Sequence, residues 1–513
     1  MNSRSKADDF LKISSQFRLG DLDTEKPHPK TTELSYLVRS DLSKAIAILK
    51  EVDIEALEIV KQRHREIVRM KSDIEKTFLN NHRIYLVGCG ATGRLSLVLE
   101  VLWRKERAGR RFENSVISLM AGGDTALIRS IEGFEDYPAF AARQLKELGF
   151  SKGDLLIACT EGGETPFVIG ATEYATEISD ISPYFLYCNP DNILHGLTDR
   201  TTRILNNTSI NRINLSVGPM ALSGSTRMQS STVLMYAVGI ALFNSFEDID
   251  IEKDVDDFVN YVGIMNYNFL AEYIVKEYNI YKAGSYLSYL THDDLGISIL
   301  TDTTERSPTF TLDPFNNYLK DNQKPSLVYL CMPDSADSLS AWRSLLFRDP
   351  RPLNWDEYPV TKENYLLGFD FSLEGLEKRK EKVRPAECEI FYIRRSPGSF
   401  DFSLQDKIHH ISLEGLSLLH QHLLLKMMLN ILSTLIMGKL GRYESNLMTF
   451  VTPSNNKLID RAARYVGLLL KRSGIINATY EEIIYALFEE METGIGTRSL
   501  VLDTVKRIAE GEK

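Results

Sequence analysis

The chain reads as an α/β protein made of two consecutive units, each a parallel sheet with helices on both faces. Three observations lead there. From residue 84 onward, short and nearly continuous apolar runs alternate with helix-periodic segments, at IYLVGCG, VISLMAGGD (116–124), DLLIACTEGGETP (154–166) and PYFLYCN (183–189); strands apolar on both sides belong to sheets covered on both faces. A second series follows an acidic stretch, with strands expected in YNIYKAGSYLSYL, SLVYLCMPDS (326–335) and CEIFYIRRS (388–396). The first apolar run also breaks at Gly88-Cys89-Gly90-Ala91-Thr92-Gly93-Arg94 and resumes as a helix, so a glycine turn joins a strand to a helix.

Taken in order, residues 1–80 open with a polar lead whose prolines, in GDLDTEKPHPKTTELS, predict an extended loop. Apolar residues at three- and four-residue spacing in AIAILKEVDIEALEIVKQRHREIVRMKSDIEKTFL then predict amphipathic helices. Residues 81–245 form the first α/β unit, 246–271 an acidic helical connector, 272–445 the second unit and 446–513 a small helical cap. FRDPRPLNWDEYPVTKENY predicts loop, and the basic residues of SLEGLEKRKEKVRP a solvated helix face.

At 513 residues, 43% hydrophobic, the chain is long enough for several cores. Its formal net charge of −10 argues against a role resting on broad phosphate neutralisation of nucleic acid. Five widely separated cysteines without a CxxC pair suggest neither a zinc site nor a disulfide framework, and His420 and His422, two apart, do not share a helix face. The expectation is a cytoplasmic protein with no membrane segment, no metal and no cofactor.

Four stretches and one isolated lysine carry candidate chemistry. Gly88, Gly90 and Gly93 let the backbone approach a ligand and Thr92 adds a hydroxyl, so the turn is either a phosphate cradle or an ordinary strand-to-helix connection. Glu132 and Glu135 are either catalytic carboxylates or solvated surface groups. The third-strand turn, with Thr160, Gly162, Gly163 and Thr165, is able to clasp a sugar or phosphate. Ser223, Ser225, Thr226 and Arg227 precede a long apolar helix, as an oxyanion cradle or as a helix cap. Lys426 is a cation in an otherwise apolar helix, where snorkelling to the surface is the competing reading.

Collected, DLDTEKPHPKTTELS, GCGATGR, AGGD with EGFED, ETPFVIGATEYA, VGPMALSGSTRM, LGISILTDTTERSPTF, KMMLNILST and NNKLIDRA resemble the family that joins N-acetylmuramic acid 6-phosphate etherases to the glucokinase regulatory protein. The resemblance implies two tandem flavodoxin-like SIS (sugar isomerase) domains acting as an internal pseudo-dimer. It also implies a sugar-phosphate ligand, of the fructose phosphate or N-acetylmuramic acid 6-phosphate class. A sugar kinase is the partner it implies for a regulator.

Compared with the family's DxxExxPT pattern, the first half has Leu102 where the glutamate belongs, whereas Asp302, Glu305, Pro308 and Thr309 keep it in the second. The family's lysine corresponds to Met235 in the first half and Lys426 in the second, while Thr92, Arg94, Glu135 and the SGSTR segment persist only in the first. One composite site follows, with Glu135 and Glu305 as the acid and base of an etherase and the remaining groups as ligand contacts. Gly162, Glu164, Met220 and Gln229 depart from the etherase pattern. The expected function is sugar-phosphate binding of the regulatory type, with the etherase as alternative and a sugar-phosphate isomerase behind both.

Overall fold

The computed structural model describes residues 2–17, 19–131, 133–320, 323–453, 456–493 and 498–511. Among these residues ten strands lie in two five-stranded sheets. In the first, β1 (Ile84–Gly88), β2 (Val116–Met120), β3 (Leu155–Thr160), β4 (Tyr184–Tyr187) and β5 (Asn211–Asn214) run parallel in the order β2-β1-β3-β4-β5. Every residue of β1 to β4 is buried, as the unbroken apolar runs require. This order reverses direction beside β1, and ligands in such sheets bind at the carboxyl ends of the strands next to that point.

The second sheet keeps the order but not the direction. β6 (Tyr286–Leu290) pairs in parallel with β7 (Val328–Cys331) and β8 (Cys388–Ser396), whereas β9 (Ser399–Leu404) and β10 (Lys407–Ser412) continue antiparallel, giving β10-β9-β8-β6-β7. Ser396 pairs with Ser399 across Pro397-Gly398, and Gly398 has φ +76°. A two-residue hairpin turn thus replaces a helical crossover, and the all-parallel expectation holds only for the first unit.

Between the sheets, four helices form a ring: Ala91–Glu106, Gln229–Phe243, Leu418–Lys439 and Leu295–Phe310, each touching the next. Gln229–Phe243 is buried along its whole length, the mark of a helix with apolar residues all round. The largest core runs without interruption from the N-terminal helices through this ring to the cap helices. The N-terminal helix Leu42–Gln62 lays Ala45, Ile46, Leu49, Val52, Ala56, Leu57 and Val60 on two of the ring helices. Ser3–Ile13, in the lead expected to be irregular, is helical and packs on the cap helix Tyr480–Glu492.

Two other stretches also differ from expectation. Arg379, expected on a solvated face, is buried and donates to Ser288 Oγ and to the carbonyls of Leu287 and Ser326 at the sheet edge. The irregular residues 347–362 of the second unit reach across to the first. There Arg348 and Arg351 pair with Glu100, Arg348 also pairs with Asp124, and Trp355 stacks on Phe134 at 5.4 Å. Among the described residues no helix is long and apolar enough to cross a membrane.

Candidate functional site

A cavity of about 260 Å³ opens at the carboxyl end of the first sheet, where the two units and the cap meet, a size suited to a small metabolite. Its walls come from far apart in the chain: Thr24 and Glu25, the turn after β1, Glu135, the turn after β3, residues 224–227, Glu305 to Thr309, and Lys457 and Arg461 of the cap. Of the residues singled out in the sequence, Gly90, Arg94, Glu135, Gly162, Thr165, Ser225, Thr226, Arg227 and Glu305 line it.

The others stand behind the wall or away from it. Thr92 spends its hydroxyl on the turn itself, donating to the Cys89 carbonyl (2.8 Å) and accepting from the Cys89 N–H (2.9 Å). A Cβ at Gly88 would lie 2.3 Å from the Thr92 carbonyl carbon, and one at Gly93 2.4 Å from Met120 Cγ, so both glycines serve the close packing of strand and helix. Gly90, by contrast, has φ +57° and open space where a Cβ would stand. Thr160 braces the next turn by accepting from the Gly163 N–H and contacting Thr165 Oγ1. Ser223 is buried and donates to the Glu25 carbonyl. Glu132 lies outside the described residues.

Lys426 neither snorkels nor enters this cavity. Its ammonium donates to the Arg227 carbonyl (2.8 Å), Thr232 Oγ1 (2.7 Å) and Asn430 Oδ1 (3.1 Å), beside a void of about 30 Å³ among the ring helices. Burial pushes the Lys426 amine down and the nearby Asp53 carboxyl up, as desolvation disfavours both charged forms. Lys426 thus holds the turn that presents Arg227.

The cations of the cavity are all engaged. Arg94 reaches from the first turn of its helix to Glu305 of the second unit, and donates as well to the carbonyls of Leu127 and Ala126. Arg227 bonds Asp302 (2.9 Å), Ser433 and Thr434. Lys457 bonds Glu164 Oε1 (2.8 Å), whose other oxygen takes Arg200. Arg461 grips Glu25 with two hydrogen bonds of 2.9 and 2.6 Å, and Arg464 adds a third. Burial pushes the Glu25 carboxyl up, but Arg461 and Arg464 overcome it and hold the group at about 2.

Among the described residues, two carboxylates of the cavity make no ion pair, although Lys457 acts on both at longer range. Glu135 sits on a short turn, Phe134–Asp136, and among the described residues its one hydrogen bond is from the Cys89 thiol at 3.7 Å. Glu161 is buried with Oε1 unpartnered. Burial, reinforced by the charge of Glu305, raises it to about 7 against the pull of its own backbone N–H and Lys457. Ser225 Oγ is likewise buried and unpartnered.

Glu25, Glu161, Lys457 and Arg461 escaped the sequence reading. Lys457 and Arg461 lie four apart in NNKLIDRA, on one face of the helix Asn456–Arg472, and that spacing was the available signal.

The related positions of the second unit make no such site. There the N-cap residue Asp294 is buried against Lys105, at the far end of the Ala91–Glu106 helix, with Arg395 (2.6 Å) and His422 (2.7 Å). These cations and the His422 hydrogen bond outweigh burial and hold the Asp294 carboxyl well below the usual range. His420 lies elsewhere, bonded to Tyr236 and Asp254.

Comparisons with known proteins identify the family. Residues 66–176 match the glucokinase regulatory protein N-terminal SIS domain. The chain is 32% identical over 195 residues to an N-acetylmuramic acid 6-phosphate etherase of Clostridium botulinum (strain Loch Maree / Type A3), covering 37% of this chain and 60% of that protein. It therefore spans three fifths of the length of that relative. It is 31% identical over 239 residues to the etherase of Mesorhizobium japonicum, covering 45% of this chain and 71% of that one. Among solved structures it is similar to phosphoheptose isomerase from Neisseria gonorrhoeae (15% identity, 38% of this chain and 94% of that one, TM-score 0.28). The chain belongs to the family that unites the N-acetylmuramic acid 6-phosphate etherases with the SIS domain of the glucokinase regulatory protein.

Proposed function

We propose that the cavity is a single composite sugar-phosphate site. The observation that carries this is the meeting of Glu135 and the residue 224–227 turn of the first unit with Glu305 of the second around one cavity. The start of the Ala91–Glu106 helix at Gly90 and Ala91, and that of Pro166–Ile178 at Thr165, face the same space, and helix N-termini favour a phosphate. Hydroxyls of Ser225, Thr226 and Thr165 suit the sugar. In the regulatory reading, occupancy favours one arrangement of units and cap, and a sugar kinase is the partner class. Equilibrium binding of fructose 6-phosphate and of hexose 6-phosphates to the purified chain tests the site. A pull-down of a sugar kinase, with and without ligand, tests the partner.

A second reading, the etherase, is favoured by the pair of glutamates that reach the cavity from opposite units. On an open-chain N-acetylmuramic acid 6-phosphate, one carboxylate takes the C2 proton, and the electron pair expels the lactyl oxygen from C3, which leaves protonated by the other as D-lactate. Water then adds across the resulting double bond. Such acid–base partners contribute about 10²- to 10⁴-fold each. Release of D-lactate that falls by about that factor in Glu135→Gln and Glu305→Gln supports this reading, and its absence beside measurable sugar-phosphate binding excludes it.

A further inference from the structure

The charge balance of the cavity points to the kind of sugar phosphate it takes. Five glutamates face it (Glu25, Glu135, Glu161, Glu164 and Glu305) against four cations, and each cation is already bonded to a carboxylate. What stays available is anionic or hydroxylic: Glu135, the unpartnered Glu161 Oε1 and the unpartnered Ser225 Oγ. Both carboxylates act on the same neighbour, the Cys89 thiol, which burial and the charges of Glu135 and Glu161 push up. They therefore share one region of the cavity. A cation is the complement that two neighbouring carboxylates and a free hydroxyl call for.

We propose that the ligand is an amino-sugar phosphate with a free ammonium group, which pairs with Glu161 and Glu135 while the helix N-termini take its phosphate. This rests on the sugar-phosphate reading and narrows it. A ligand bearing a lactyl carboxylate would place a further negative charge beside two carboxylates that make no ion pair among the described residues, so the proposal counts against the etherase substrate. The raised titration of Glu161 to about 7 fits a carboxyl awaiting a cation: an arriving ammonium stabilises its ionised form.

The test is isothermal titration calorimetry of the full chain near neutral pH with glucosamine 6-phosphate, glucose 6-phosphate and N-acetylmuramic acid 6-phosphate. The first two differ at C2 by an ammonium against a hydroxyl. The expected order is glucosamine 6-phosphate about tenfold tighter than glucose 6-phosphate, the worth of one modest charge-assisted contact, with the muramic acid derivative weakest. Glu161→Gln and Glu135→Gln should each bring the ratio between the first two towards one. The ratio is read within each variant, so a weakened but folded variant still reports. Equal binding of the first two, tightest binding of the muramic acid derivative, or a ratio untouched by both substitutions overturns the proposal while leaving the sugar-phosphate site standing. Failure of all three to bind overturns both.

Discussion

The Ala91–Glu106 and Leu295–Phe310 helices, each of 16 residues, meet through an ion pair at either end, and in both pairs the cation comes from the first unit and the carboxylate from the second. On the cavity side Arg94 of the first unit meets Glu305 of the second. On the other side Lys105 of the first unit meets Asp294 of the second. The second arrangement agrees with the helix dipoles, since Asp294 caps an N-terminus and Lys105 stands in a last turn; Arg94, in a first turn, opposes its dipole at a cost of about 0.3–1 kcal/mol. The favourable end is closed, its carboxylate fully buried, whereas Glu305 keeps 14% of its side chain exposed to the cavity. One end is thus a closed fastening and the other opens on the cavity, with the unfavourable electrostatics retained at the open end.

If this contrast is right, the closed end dominates stability. Asp294→Ala removes the common partner of Lys105, Arg395 and His422 and should cost about 3 kcal/mol, the lower part of the range for broken buried pairs, because Lys105 and Arg395 can turn to water. Chemical denaturation at neutral pH measures it; a loss below about 1 kcal/mol would show that the fastening is ornamental. The same carboxylate, depressed in the fold, contributes stability above its unfolded value near pH 4 that is lost as pH falls.

At the open end the pH dependence runs the other way. Glu161 binds its proton more tightly in the fold, at about 7, than in the unfolded chain, at about 4.3. Between those values the native state holds more protons, so stability should fall as pH rises, by at most about 1.4 kcal/mol per pH unit. Denaturation midpoints of the chain and of Glu161→Gln across this window check it, and identical slopes would refute the assignment. The smallest effect is expected from Glu305→Gln, which keeps an oxygen for Arg94 and loses only the charge, at about 1 kcal/mol or less. A loss as large as that of Asp294→Ala would erase the distinction between the two ends.

Much of this was legible in the chain because it is local. Uniform apolar runs gave the first sheet, and the motif-bearing turns placed Arg94, Glu135, Thr226 and Arg227 around one opening. The second sheet was less legible, because SPGS and its two-residue turn look like any loop until the flanking strands are paired. The hidden part of the site is non-local. Glu25 meets Arg461 across 436 residues, and no periodicity within either segment announces that contact. Glu161 was passed over in a turn read for its glycines, since a carboxylate beside a glycine shows nothing of its burial. Lys426 drew attention as a charge among apolar neighbours, which was sound, but its role of holding the Arg227 turn depends on helices joined only in the fold.

The spread of the cavity wall along the chain, from Leu22 to Arg461, also bears on how the molecule folds. Contacts between segments so distant must wait for the closure of long loops, and closure entropy slows them. The cavity should therefore be among the last features to assemble and, by the same token, the first to loosen. A ligand that binds only the assembled wall acts on that final step: at a hundred times its dissociation constant it adds about 2.7 kcal/mol to the native state. Metabolite concentration would then set the lifetime of the completed fold as well as the occupancy of the site.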